Sequence, residues 1–227
     1  LAPDPRIVDW VAELTPESST VKFMKSVLPI GELDLDVRES YTTSADLTTE
    51  SGWRSFLREM AALRVTDGLN RYYYGATVIP PGSPWGGLGY VGKPASTGRP
   101  TAATLAHELG HNLSLRHAPC GEVSSFDGNY PYPSGSIGVW GYESRSASSA
   151  GFLKAPDNYK DLMGYCTPKW ISDYHFKKAM DFRLATEPLP PPEGHPRQAL
   201  LLWGSTGQGG MLLEPSFILD APPHLPT

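Results

Sequence analysis

The residues best placed to do chemistry lie together at His107-Glu108-Leu109-Gly110-His111. On a helix, imidazoles four positions apart are separated by about 40° around the axis and about 6 Å along it, so both rings reach one point. Imidazole nitrogen suits zinc, which a hydrolytic site holds with three protein ligands and one position open to water. The third ligand must come from elsewhere, and His117 is the candidate. A continuing helix would carry it about 9 Å beyond His111 and roughly 120° short of two full turns. It reaches the ion only if the helix stops just past Leu113 and the chain turns back, and Pro119 forbids further helix. Glu108 points to a different sector, where its carboxylate meets the open water position and takes a proton as general base.

The elements that must position these residues follow from pattern. Pro100 precedes the motif, Ala102, Ala103 and Ala106 favour helix, and Leu105, Leu109 and Leu113 recur every four residues, predicting a helix from Thr101 to about Leu113. Trp53, Phe56, Leu57 and Met60 predict an amphipathic helix over about Thr48 to Leu63. Asn70 to Ile79 and Gly87 to Lys93 read as strands around the turn-forming Pro80-Pro81-Gly82-Ser83-Pro84. Ile7 to Leu14 reads as a strand, Thr15-Pro16-Glu17 as the start of a helix ending near Val27, and Leu33 to Val37 as a half-buried strand by its alternation with charges.

Ala118 to Asp157 reads as a long irregular loop walling a cleft, and Ser172 to about Leu184 as a further helix. The sum is an α+β domain, a twisted sheet with helices above an irregular lower part beyond His117. The expected boundaries are a catalytic unit over 1–186, a proline-rich linker over 187–197 and a β tail or truncated β module over 198–227. In that tail Ala199 to Trp203 would pair with Met211 to Leu219.

Composition narrows the partners. A chain of 227 residues supports one main core, and a net charge of -5 without long charged blocks gives no reason to expect nucleic acid or an anionic membrane. No apolar run approaches the roughly 20 residues of a membrane span. The chain opens at Leu1 without a charged and apolar leader, so any signal or pro-segment is expected to have been removed or to lie outside this sequence. Cys120 and Cys166 fit no close metal spacing; one disulfide of an oxidising compartment and two buried thiols both remain open.

The histidine pattern, followed downstream by Asp161-Leu162-Met163-Gly164-Tyr165, resembles the metzincin peptidases, whose motif is H-E-x-x-H-x-x-G-x-x-H with a later methionine turn. His117-Ala118-Pro119-Cys120-Gly121, Gly138-Val139-Trp140-Gly141 and Trp170-Ile171-Ser172-Asp173-Tyr174 are similar to the large secreted bacterial mucin-cleaving metalloproteases of the StcE type. The resemblance implies Zn2+ held by His107, His111 and His117, and Met163 as an apolar floor beneath them. It also implies Tyr165 as a zinc ligand or oxyanion donor, although a packed tyrosine bonded to backbone fits the same position. Ser114 departs from the motif by standing where the family has glycine, at a reversal that favours positive φ.

An edge strand that pairs with extended substrate is a family feature too, and Leu88, Gly89 and Tyr90 in the glycine-rich Gly86 to Gly92 segment are its candidates. A glycine-softened strand without that role reads equally well. Tyr130, Tyr132, Trp140 and Tyr142 form either an aromatic wall for sugar or side-chain recognition or the packing of a long loop. Asn112-Leu113-Ser114 is a glycosylation sequon on the active helix and reads as unused, while Asp127 and Asn129 suit turn-making better than calcium. The expected function is a secreted, monomeric zinc metalloendopeptidase domain within a longer chain, acting on proteins or glycoproteins. The alternative is a binding module that keeps the zinc fold without cutting.

Overall fold

A computed structural model describes residues 4–143, 153–187, 197–201, 204–207, 210–213 and 217–221. The chain divides into two compact units, Leu1–Thr186 and Glu187–Thr227.

In the first unit, helix α1 spans Pro5–Ala12, α2 Ser19–Val27 and α3 Glu50–Asp67; strands β1 (Tyr73–Ala76), β2 (Gly87–Gly89) and β3 (Ala95–Gly98) precede helix α4, Ala102–Asn112. The capping chemistry sets the helix starts: Ser18, Thr49 and Thr101 each accept a backbone N–H of the first turn through the side chain. Helix α3 ends at Gly68, whose φ of 66° is the left-handed conformation of a helix stop. The three strands form one sheet in the order β1-β3-β2, with β1 parallel and β2 antiparallel to β3.

Alternation along β2 shows how the helices cover this sheet. Leu88 packs with Trp53, Phe56 and Met60 of α3, whereas Gly87 and Gly89 face Glu108 and His111 of α4. The two helices therefore lie on opposite faces. Central strand β3 is wholly buried with small side chains, Ala95-Ser96-Thr97-Gly98, which lets both helices come close. Asn112 ties the end of α4 to the sheet, its amide donating to Tyr90 O at 3.0 Å and Ala95 O at 2.9 Å. With its side chain fully buried and both amide hydrogens used, Asn112 cannot carry a glycan in this fold, as the sequon reading expected.

Beyond α4 the backbone is mostly irregular. Short strands β4 (Gly141–Tyr142) and β5 (Leu153–Lys154) pair, as do β6 (Lys160–Asp161) and β7 (Lys169–Trp170), and helix α5 spans Asp173–Thr186. The main core joins both parts: Met24, Val27 and Leu28 meet Leu113, Leu115, Ile137, Leu162, Met163, Trp170 and Ala179.

Several expectations are corrected. The strand expected over residues 7–14 is instead helix as far as Ala12, because Asp4 caps it and Pro5 occupies its first turn, a start signal that outweighs the β-branched residues following. Leu33, Leu35 and Val37 form no strand; their alternation in burial is partly present, yet no strand among the described residues offers them the ladder that a strand requires. The strand expected over 87–93 stops at Gly89, and β3 went unforeseen because its small polar residues carry no hydrophobic alternation.

The second unit contains strands β8 (Arg197–Leu201), β9 (Gly204–Gly207), β10 (Gly210–Leu213) and β11 (Phe217–Ala221). β8 pairs with β11 and β9 with β10, so the run expected as one strand over 211–219 is split between two partners. Of the expected linker, residues 188–196 lie outside the described residues, as do His195 and His224.

Candidate metal centre

Helix α4 carries His107, Glu108 and His111, the last two against the glycines of edge strand β2, and its end decides where His117 goes. Ser114 N–H donates to His111 O and Leu115 N–H to Gly110 O, the paired bonds of a Schellman stop, with Ser114 itself at φ 68°. The reversal thus uses the motif's own position, a serine held in the left-handed region that glycine ordinarily fills. Three residues later the His117 ring meets those of His107 and His111, centroids 5.4 and 4.8 Å apart.

The hydrogen bonds define which nitrogens converge. Nδ1 of His107, His111 and His117 each lies 2.9 Å from a backbone carbonyl, those of Leu162, Leu115 and Ser124 respectively. A carbonyl only accepts, so each Nδ1 carries the proton and each Nε2 is left with a lone pair. The candidate ligand atoms lie within 4.8 Å of one another, and Nε2 of His111 and His117 are 3.2 Å apart. Burial holds His111 down to about 4, and also lowers His107 and His117, so the rings are neutral at ordinary pH. Two neutral acceptors at that distance cannot bond each other. A cation between them resolves the repulsion, and tetrahedral zinc with nitrogens at about 2.05 Å places ligand pairs about 3.3 Å apart. The residues fit a metal ion.

Glu108 is buried at 5% exposure, and its Oε2 has no hydrogen-bond partner. Burial pushes its carboxyl up to about 8, against the opposing pull of the Lys169 ammonium. A buried, unpaired carboxylate is costly and is tolerated chiefly where it has work to do. The glycines of β2 make room for it: a Cβ on Gly87 would collide with the Glu108 carboxylate, and one on Gly89 would stand 2.9 Å from the Glu108 carbonyl oxygen.

Below the histidines, Met163 is fully buried, and a Cβ on Gly110 would lie 2.5 Å from its Sδ, so the thioether packs directly under α4. Tyr165 is half exposed, its hydroxyl 3.5 Å from His117 Nε2 and its ring 5.1 Å from that of His117. The turn is fastened to the loop after His117 by Tyr165 N–H donating to Cys120 O, by Ala118 N–H donating to Met163 O and by the Cys120–Cys166 disulfide. The bridge settles the choice between a disulfide and free thiols.

Other sequence candidates fall into separate places. Leu88 packs on α3, Gly89 faces Glu108, and Tyr90 continues from the end of β2. Trp140 and Tyr142, each 63% exposed, line a groove with Phe176 and Met180 of α5. Tyr130 and Tyr132 instead pack with each other and, through Tyr130, with Tyr174 and His175. Asp127 accepts from Tyr174, Lys178 and Asn129 N–H, which leaves turn-making and ion pairing as its role.

Three supporting residues escaped the sequence reading. Asp161 is fully buried and accepts from Met163 N–H at 2.7 Å, Ser172 N–H at 2.9 Å and His175 Nδ1 at 2.8 Å. Burial pushes its carboxyl up, but those donors outweigh burial and hold it below the usual range. Lys169 Nζ donates to Leu162 O and Gly164 O, bracketing the methionine turn and sharing the carbonyl that orients His107. His175 lies outside the histidine motif, and nothing in the spacing of these three from the motif signals the network.

A helix-borne imidazole pair, a third imidazole returned by a helix stop, and a buried carboxylate beside them form a group that could hold a metal ion next to an acid–base carboxyl, the arrangement that suits a metal-dependent hydrolase. The chain matches Peptidase M66 over residues 59–172, half of its length, and it belongs to that family, which implies a metallopeptidase. A Dictomallein-like protein of Hahella chejuensis (strain KCTC 2396) is 38% identical over 74 residues, 32% of this chain and 12% of that protein. The chain thus matches about one eighth of that relative's length. No solved structure matches it.

Proposed function

We propose that this chain is the catalytic domain of a secreted zinc metalloendopeptidase of metzincin type that hydrolyses peptide bonds of proteins, glycoproteins among them. It would act as a monomer within a longer polypeptide. The observation that carries the proposal is the convergence of three Nε2 lone pairs beside the unpartnered Oε2 of Glu108. Zinc, when bound by His107, His111 and His117, supplies Lewis acidity that acidifies water and polarises an acyl oxygen.

The chain's own residues do the rest. Glu108 takes the proton of the attacking water at Oε2 and passes it to the leaving amine. Tyr165, beside His117, donates its hydroxyl to the developing oxyanion. The Leu162, Leu115 and Ser124 carbonyls hold the three rings in one tautomer, and Met163 keeps the floor dry. Export is supported by the disulfide, which persists in oxidising compartments. Glycoprotein substrates are supported by the resemblance to mucin-cleaving enzymes and by the exposed Trp140 and Tyr142.

The test is incubation of the zinc-loaded chain with an unfolded protein, a mucin-type glycoprotein and its deglycosylated form. Glu108→Gln should retain zinc by metal analysis and lose about 10²- to 10⁴-fold in kcat. Stoichiometric zinc with no cleavage of any substrate would replace this proposal with the non-cutting binding module.

A further inference from the structure

The outer edge of β2 and a basic recess behind it point to the substrate this site prefers. In the β2–β3 ladder Arg99 N–H donates to Gly86 O and Tyr90 N–H to Ala95 O. By antiparallel alternation Leu88 bonds inward to β3, and Gly87 and Gly89 present their N–H and C=O groups outward. An extended substrate paired there places the residue opposite either glycine on the Glu108 face, because directly opposed residues share a face. The next residue along the substrate then points to the other face, where α3 lies.

On that face Arg54, Leu57, Arg58, Leu88, Gly89 and Tyr90 line a recess of about 280 Å³. Its base is apolar, with Leu57 buried, and its rim is cationic. The Arg54 guanidinium stacks on Trp85 at 5.3 Å, and Lys93 Nζ stands 5.8 Å from the Tyr90 ring centroid. The acidic group beside this rim is Glu50, exposed and 3.7 Å from Arg54, while Arg58 makes no ion pair among the described residues. Guanidinium groups recognise carboxylates through paired donors. The volume admits one long side chain or one sugar ring.

We propose that this recess is a specificity pocket for a carboxylate carried by the substrate residue next to the one facing Glu108, with Arg54 and Arg58 as its recognition residues. The inference rests on the proposed peptidase activity and deepens it by naming the substrate class. The carboxylate comes from an Asp or Glu side chain or from an acidic sugar on a glycan, and the two sources are separable.

The test uses the zinc-loaded chain and matched peptides in which each position around the cleaved bond carries Glu or Gln. A second pair is one glycopeptide with and without its terminal sialic acid. Wild type should show a higher kcat/KM for the acidic member at one position, and partly exposed ion pairs set the preference at about two- to fivefold. Arg54→Gln/Arg58→Gln should abolish that ratio, and Arg54→Glu/Arg58→Glu should invert it in favour of a Lys-containing peptide, an outcome that misfolding cannot imitate. A preference confined to the Glu peptides assigns the side chain, and one confined to the sialylated glycopeptide assigns the sugar; either supports the pocket. Equal cleavage of acidic and neutral members, or a preference untouched by both double variants, overturns it while leaving the peptidase reading intact. Should no substrate be cut, the peptidase reading fails, and binding of the same fluorescent peptides, acidic against neutral, decides the pocket by itself.

Discussion

The candidate metal centre is assembled from two regions built by different means. Helix α4 supplies His107, Glu108 and His111 from eleven consecutive helical residues clamped to a sheet by Asn112. The stretch from Ser114 to Ser172 supplies His117, Met163 and Tyr165 from backbone that, among the described residues, has only short two-residue ladders of its own. It is held by a disulfide, by the Asp161 carboxylate and by the Lys169 ammonium. In the first region local hydrogen bonds position the ligands, so neighbouring residues in sequence are neighbours in space. In the second, a few long-range links do the same work, and each one carries more of the geometry.

That difference predicts unequal fragility. Reducing Cys120–Cys166, which spans 46 positions, should lower stability by about 4 kcal/mol and weaken zinc binding, with the α-helical circular dichroism signal retained below the transition. A zinc competition titration and melting curves with and without reductant read both effects, and unchanged zinc affinity in the reduced chain would remove the contrast.

Asp161→Asn should cost about 3 kcal/mol, because a buried carboxylate with three donors loses its charge. The same group sets an acid limit. Its folded pKa lies below the unfolded value of about 3.9, so its contribution is complete above that value and is lost as pH falls through the depressed one. Denaturant melts between pH 6 and 2 should show stability falling more steeply in wild type than in Asp161→Asn. Parallel profiles would mean that the methionine turn does not depend on this carboxylate.

The smallest effect tests the junction itself. Ser114→Gly relieves a non-glycine residue at φ 68° but frees the unfolded chain, and the net expectation is a gain of about 0.5–1 kcal/mol. A lower melting temperature in the glycine variant would show that the serine side chain stabilises the reversal.

The legibility of the sequence follows the same divide. The α4 helix, the α3 helix with buried Trp53, Phe56, Leu57 and Met60, and the pairing of His107 with His111 were readable, because their periodicity lies within a few residues. Residues 7–14 were misread where a capping signal competed with β-branched composition, and Leu33 to Val37 where alternation had no partner strand. Asp161 and Lys169 gave no signal of their roles, and the glycine-rich run of β2 signalled close approach without naming Glu108 as the neighbour, since these roles exist only through residues that are distant in the chain.

By itself, then, the sequence determined the chemistry available: which side chains are able to hold a metal, which carboxylate stands beside them, and that the helix has to stop before His117. The tertiary structure decided the rest. It put Ser114 in the left-handed conformation, turned three lone pairs toward one point by giving every Nδ1 a carbonyl, and left Glu108 buried and unpaired. Ligand identity is a property of residue type and short spacing, whereas orientation, tautomer and burial depend on contacts that only the folded chain brings together.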